Sequence, residues 1–102
     1  MRRTNPRRAK FYERPSYLAI IGRIATNVRR LREARGWSQA ELAFRADEME
    51  VVALQGIERG ASNTTVVTIA RLCDALSIDV RELMEPAPPP PKRPRGRPRK
   101  NG

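Results

Sequence analysis

The stretch Ser38–Gly60, SQAELAFRADEMEVVALQGIERG, decides how the rest of the chain is read. Ser38 and Glu41 stand at the S-x-x-E spacing of a capping box, in which the serine oxygen accepts from the Glu41 amide and the Glu41 side chain reaches back. Trp37 precedes the box, and Leu42 falls where it closes a hydrophobic staple with it. A helix is therefore predicted from Gln39, with Leu42, Ala43 and Ala46 facing a core. Asp47, with Glu50 three residues on, marks a second start, after which Val51, Leu54 and Ile57 recur at helical spacing. The expected unit is two short helices joined by a tight turn.

Upstream, the residues from Ser16 or Tyr17 to Arg35 read as an amphipathic helix. Ile20, Ile24, Val28 and Leu31 form its apolar face, and Arg23, Arg29, Arg30, Arg32 and Arg35 surround the other. Gly36 ends it as a C-terminal glycine. The arginines of its last turns suit the negative end of the helix dipole, and phosphate contact would use the same face. Downstream, the loop ASN leads to Thr64 or Thr65, a cap for a helix reaching about Leu76, with Val66, Ile69, Ala70, Cys73 and Leu76 as its buried stripe. Asp79 begins a short helix, with Glu82 completing another capping box and Val80, Leu83 and Met84 apolar.

A chain of 102 residues has room for one small domain. Its 21 Lys and Arg against 11 Asp and Glu give a net charge of +10, unevenly placed. Residues 1–15 carry six basic residues and one acidic, and residues 86–102 carry six basic and none, which leaves the part between close to neutral. Basic arms beside a compact domain are the electrostatic footprint of a nucleic-acid binder. The organisation expected is a flexible basic arm over 1–15, a helical domain over 16–85, and a proline-rich basic tail over 86–102. Residues 1–15 and 87–102 offer too little apolar surface to offset the entropy of ordering them, so both are expected to be disordered without DNA. With one cysteine and no histidine, neither an internal disulfide nor a zinc site is expected. The longest apolar run, Leu18 to Ile21, is too short for a membrane span or a secretory segment, so a cytoplasmic protein is the default expectation.

G-W-S-Q-A-E-L-A at 36–43, the turn, and I-E-R-G at 57–60 resemble the helix-turn-helix of the phage Cro/repressor family, also called the xenobiotic-response-element family. The likeness runs from about Ile21 to Met84. It implies an all-α, lambda-repressor-like bundle of about five helices, with the second motif helix laid in the DNA major groove. It also implies a phosphate contact by Gln39 at the start of the first motif helix. In the family the last helix often takes part in a homodimer contact, although here the same residues would equally serve to close the core.

The chain departs from that family at two places. Asp47 stands where a glycine usually begins the turn, and A-D-E-M-E is one residue longer than usual. The base-reading positions of the second motif helix, matched from I-E-R-G, are Val51, Val52 and Gly56, leaving Gln55 as the one amide nearby. Amides and guanidinium groups supply the hydrogen bonds of direct readout, whereas valine offers at most apolar contact to a thymine methyl. Asp47, Glu48 and Glu50 add charge that repels phosphate. Direct reading by this helix is expected to be weak, and its apolar surface would suit a protein partner. Asn63 in the following loop completes the DNA-contacting set expected of the domain.

The tail EPAPPPPKRPRGRPRKNG has seven prolines between 86 and 98, which favour an extended spacer and exclude helix. Within it, K-R-P-R-G-R-P-R-K at 92–100 resembles the AT-hook of the high-mobility-group A proteins. The resemblance implies that Arg93, Pro94, Arg95, Gly96, Arg97 and Pro98 lie extended in the minor groove of A·T-rich DNA, with flanking basic residues on phosphates. The chemistry agrees: Gly96 has no side chain to hold the backbone off the groove floor, and Arg95 and Arg97 suit a narrow groove of enhanced negative potential. The guanine amine would obstruct that floor. The sequence contains no pairing of nucleophile and base and no phosphate-cradling glycine loop, so neither enzymatic activity nor a cofactor is expected. The function expected is a regulator or nucleoid-associated factor on A·T-rich double-stranded DNA. Its rivals are a protein-interaction module, antitoxin-like or recruiting, tethered to DNA by its tail, and a protein binding RNA or DNA without sequence preference.

Overall fold

The computed structural model describes residues 10–61 and 63–86, and in them the chain forms five α-helices: α1 Pro15–Ala34, α2 Gln39–Arg45, α3 Val51–Glu58, α4 Val66–Leu76 and α5 Val80–Met84. No strand occurs among the described residues. The expected all-α bundle is therefore the observed one. Residues 1–9 and 87–102, over which disordered tails were expected, lie outside the described residues. The end of the expected irregular arm is helical instead: Lys10 and Phe11 close a turn whose carbonyls accept from the Glu13 and Arg14 amides at 3.0 and 2.9 Å. Pro15 then opens α1, where its missing N–H costs nothing.

One core holds the five helices. Val28, Leu42, Leu54, Leu72, Leu76 and Leu83 are fully buried, so every helix contributes at least one side chain. Leu42, Ala43 and Ala46 face inward as expected, and Trp37 packs against the same cluster. Two expected stripes are rotated. On α1 the buried residues are Ile21, Ile24, Ala25 and Val28, while Ile20 is 48% exposed. Steps of four residues drift by about 40° around a helix of 3.6 residues per turn, so Ile20 falls off the face that Ile24 and Val28 share. On α4, Leu72 and Leu76 take the centre, with Ile69 and Cys73 beside them, and Val66 and Ala70 lie outside. Both α4 sets satisfy helical spacing, and the set with the bulkier leucine buries more apolar area.

The helix ends explain the connections. At the end of α1, Gly36 N–H donates to Glu33 O and Trp37 N–H to Arg32 O, the paired bonds of a left-handed helix stop, with Gly36 at φ +72°. The end of α3 repeats it: Gly60 N–H donates to Ile57 O and Ala61 N–H to Gly56 O, with Gly60 at φ +70°. The end of α4 has the same pair of bonds around Ser77, a non-glycine residue at φ +56°.

The starts are less uniform. Ser38 Oγ accepts from Glu41 N at 3.0 Å, but the Glu41 carboxylate turns to Arg45 Nε at 2.6 Å rather than back to the cap, so half of the expected box forms. Thr65 caps α4 by accepting from Thr68 N. Asp79 caps α5 through Arg81 N, two residues on, which replaces the expected box with Glu82. Asp47 does not start a helix: it and Glu48 are both left-handed, at φ +61° and +54°, and α3 begins at Val51 with Glu50 as its N-cap. Burial of Ala46 and Met49 on either side forces that tight reversal, secured by Met49 N–H on Ala43 O at 2.9 Å.

Candidate nucleic-acid interface

α2 and α3 are held against α1 by one buried ion pair. Arg32, only 9% exposed, meets the Glu58 carboxylate edge-on, with Nε to Oε2 at 2.7 Å and Nη2 to Oε1 at 3.0 Å. Its third nitrogen, Nη1, donates to Trp37 O at 2.8 Å. Hydrogen bonding to Glu58 raises the Arg32 guanidinium above its ordinary value, overcoming the opposing effect of burial. The expectation that Arg32 belongs to the exposed basic face is thus corrected: it is a structural cation at the junction of three helices. Trp37 is covered by two other guanidinium groups, Arg45 at 4.3 Å and Arg35 at 5.9 Å from the ring centre.

Above this pair opens a cleft of about 340 Å³ lined by Arg29, Arg32, Gln39, Gln55, Glu58 and Arg59. Gln39 Nε2 donates to Glu58 Oε1 at 3.0 Å, which fixes which end of the amide faces the carboxylate. A primary amide has two N–H groups, so one remains for an anion in the cleft. Arg29 is tied to Glu33 at 3.2 Å on the surface. Arg59 is exposed and has no carboxylate within ion-pair distance among the described residues. The cleft therefore joins two carboxamides and two exposed cations around a neutralised pair.

The outward stripe of α3 continues from it. Val51, Val52, Gln55 and Arg59 are exposed, whereas Leu54, Gly56 and Ile57 are buried. Gly56, aligned with a base-reading position in the sequence, is buried, and as a glycine it has no side chain to offer a base edge. Val52 is 75% and Val51 36% exposed, and Gln55 lies on both the stripe and the cleft. Asn63 is exposed in the α3–α4 connection. Arg93, Pro94, Arg95, Gly96, Arg97 and Pro98 lie outside the described residues. The charge flanking α3 is partly balanced, since Asp47 pairs with Arg71 of α4 at 3.3 Å.

Arg59 is the surface residue that the sequence reading passed over. It stands four residues after Gln55, so the helical period alone places the two side chains on one face.

Residues 28–83, from the middle of α1 to the penultimate residue of α5, match the family model described as Helix-turn-helix. The chain belongs to the helix-turn-helix family. It is 35% identical over 63 residues to the uncharacterized HTH-type transcriptional regulator y4dJ of Sinorhizobium fredii, covering 62% of this chain and 80% of that one. Among solved structures, the restriction-modification controller protein C.AhdI from Aeromonas hydrophila is 38% identical with a TM-score of 0.59, over 62% of this chain and 94% of its own. The hypothetical transcription factor NHTF from Neisseria is 28% identical with a TM-score of 0.62, over 66% and 76%. In this helix-turn-helix domain, α2 and α3 are the two motif helices, and Gly36 and Gly60 bracket the motif. No helix among the described residues is long and apolar enough to cross a membrane.

Proposed function

We propose that the chain is a DNA-binding transcriptional regulator that engages A·T-rich duplex at two grooves, and acts at the nucleoid. The domain docks α3 toward the major groove, and the tail places Arg95-Gly96-Arg97, between Pro94 and Pro98 and after Arg93, in the minor groove. The observation that carries the domain's part is the cleft in which Arg29, Gln39, Gln55 and Arg59 converge beside the outward stripe of α3. Cations there neutralise phosphates, and carboxamides hydrogen-bond either phosphate or base edges. The relatives named as an HTH-type transcriptional regulator and a hypothetical transcription factor support the regulatory part of this reading. The tail's part rests on the complete P-R-G-R-P core and on six basic residues with no acidic one in 86–102.

Fluorescence anisotropy of the full chain on A·T-rich and G·C-rich duplexes, titrated with salt, tests both parts. Arg95→Ala/Arg97→Ala should weaken binding to A·T-rich duplex and lower the salt slope by roughly one to two units, at about 0.9 per phosphate neutralised. Equal affinity of the parent for both duplexes would refute the A·T preference. An unchanged slope in the double variant would remove the tail from the interface.

A second reading is favoured by the apolar exposure of α3, where Val52 is 75% uncovered. Under it the motif helix docks a protein partner, and the tail alone holds DNA.

A further inference from the structure

We infer that α3 selects its site through thymine methyl groups: Val51 and Val52 pack on the C5-methyls of neighbouring thymines, and Gln55 pairs with an adenine one turn further along. The inference rests on the proposed docking of α3 in the major groove and names what that helix prefers there. The outward face of a motif helix is commonly supplied with hydrogen-bonding groups, and here its first turn exposes two β-branched hydrocarbons instead. In the major groove each base pair shows a different edge, and A·T alone presents a methyl group. Against valine, the guanine O6 and N7 acceptors or the cytosine amino donor would lose water and gain no partner, so G·C pairs are disfavoured as well as unrewarded.

The spacing suits several consecutive base pairs. From Val52 to Arg59 the helix rises roughly 10 Å at 1.5 Å per residue, about three base-pair steps. Val51 and Val52 sit at the entering end, Gln55 one turn on, and Arg59 at the far end, where its guanidinium meets a phosphate. Gln55 offers a carbonyl and an amine that match N6 and N7 of adenine. The cations Arg59 and Arg29 at the cleft edge of the stripe favour a polyanion there, whereas the exposed Glu48 and Glu50 flank its valine end, where the contact is with base methyls rather than phosphate.

The domain's major-groove preference and the tail's minor-groove preference then point to the same A·T-rich sequence by different chemistry. Deoxyuridine separates them. Replacing thymine by uracil removes the methyl from the major groove and leaves the minor-groove edge, the base pairing and the phosphates unchanged.

A duplex selected from a randomised pool by the full chain is therefore remade with each thymine in turn replaced by deoxyuridine, and Kd is measured by anisotropy at fixed salt. One buried methyl corresponds to about a fourfold change in affinity. Two adjacent positions should each lose about that factor, without a change in salt slope because no phosphate contact is altered. Val51→Ala/Val52→Ala should bind the thymine duplex more weakly and be indifferent to uracil at those positions. Both valines are exposed, so the variant's melting curve should match the parent's. Arg95→Ala/Arg97→Ala should keep the uracil effect. Uniform indifference of the parent to uracil overturns the inference while leaving DNA binding intact. So does a valine variant that binds as the parent does, which would assign the apolar face to a protein partner. Absence of saturable binding to any duplex would instead remove the proposed function itself, and this inference with it.

Discussion

Glu58→Gln is the substitution that most directly probes how the domain is held together. Glu58 accepts from Arg32 Nε, Arg32 Nη2 and Gln39 Nε2, and its side chain is only 4% exposed. Glutamine keeps one acceptor oxygen and puts an amine where the other oxygen stood. With its oxygen toward Arg32 Nε, that amine faces Nη2 and Gln39, both donors; reversed, it faces Nε. Gln39 can turn its own amide over to offer an acceptor, but a guanidinium has none. The variant thus leaves a nearly buried cation without its counter-charge. Glu33, 3.7 Å from Nη2 and 55% exposed, is a weak substitute.

Breaking one side of a buried pair costs about 3–5 kcal/mol. A domain of this size holds on the order of 4–12 kcal/mol in all. At about 4–8 °C per kcal/mol the melting temperature should fall by at least 12 °C and by roughly 15–30 °C in the middle of the range. Thermal unfolding followed by far-ultraviolet circular dichroism reads this directly. Arg32→Met/Glu58→Met should recover most of the loss, because two apolar side chains leave no buried charge, although Trp37 O and the Gln39 amide lose the partners they had. A single variant melting within about 3 °C of the parent would refute the reasoning.

Asn27→Ala should cost about 2–3 kcal/mol, since the fully buried Asn27 amide donates to both Leu83 O and Glu85 O at 2.8 Å and leaves those carbonyls without it. Amide exchange should quicken first in α5. Glu48→Gly and Ser77→Gly should each stabilise by about 0.5–1 kcal/mol, because both residues hold left-handed backbone that glycine adopts without strain. A fall in melting temperature for both would contradict that assignment. Cys73 has its thiol raised by burial, with Asp74, Asp79 and Glu82 adding to the shift. Its stabilising contribution is complete below the unfolded thiol value of about 8.5 and is lost as pH rises through the higher folded value. Melting temperature should decline in that window, and Cys73→Val should flatten that part of the decline.

What was legible in the sequence is what short-range chemistry dictates. Ser38 before a helix, Gly36 and Gly60 after helices, and Leu42, Ala43 and Ala46 on one face all act within a turn or two of themselves. Asp47 misled because Asp47 and Glu50 imitate a cap, whereas burial of Ala46 and Met49 turns the backbone left-handed at that point. Arg32 misled for a different reason. Its partner lies 26 residues away, and nothing in the periodicity of α1 distinguishes a buried arginine from its exposed neighbours. Gly56 was not legible for another reason: the helical period sets it about 40° from Val52, on the outer side, and the packed structure nonetheless buries it. Arg59 is readable from its spacing, four residues after Gln55.

The length of α3 ties these observations together. Val51–Glu58 is barely two turns, too short to be stable by itself, so its outer stripe is only as well placed as its inner face is anchored. That anchoring comes from Leu54 and Ile57 in the core and from Glu58 on Arg32, while the Gly60 stop fixes where the helix ends. Gln39, at the start of α2, is bound to the same carboxylate, so one residue sets the position of both motif helices relative to α1. Under the proposed reading this division relieves the outer face of any structural duty. Val51, Val52, Gln55 and Arg59 can differ between relatives without loss of fold, whereas Glu58 cannot change without moving everything that faces the ligand.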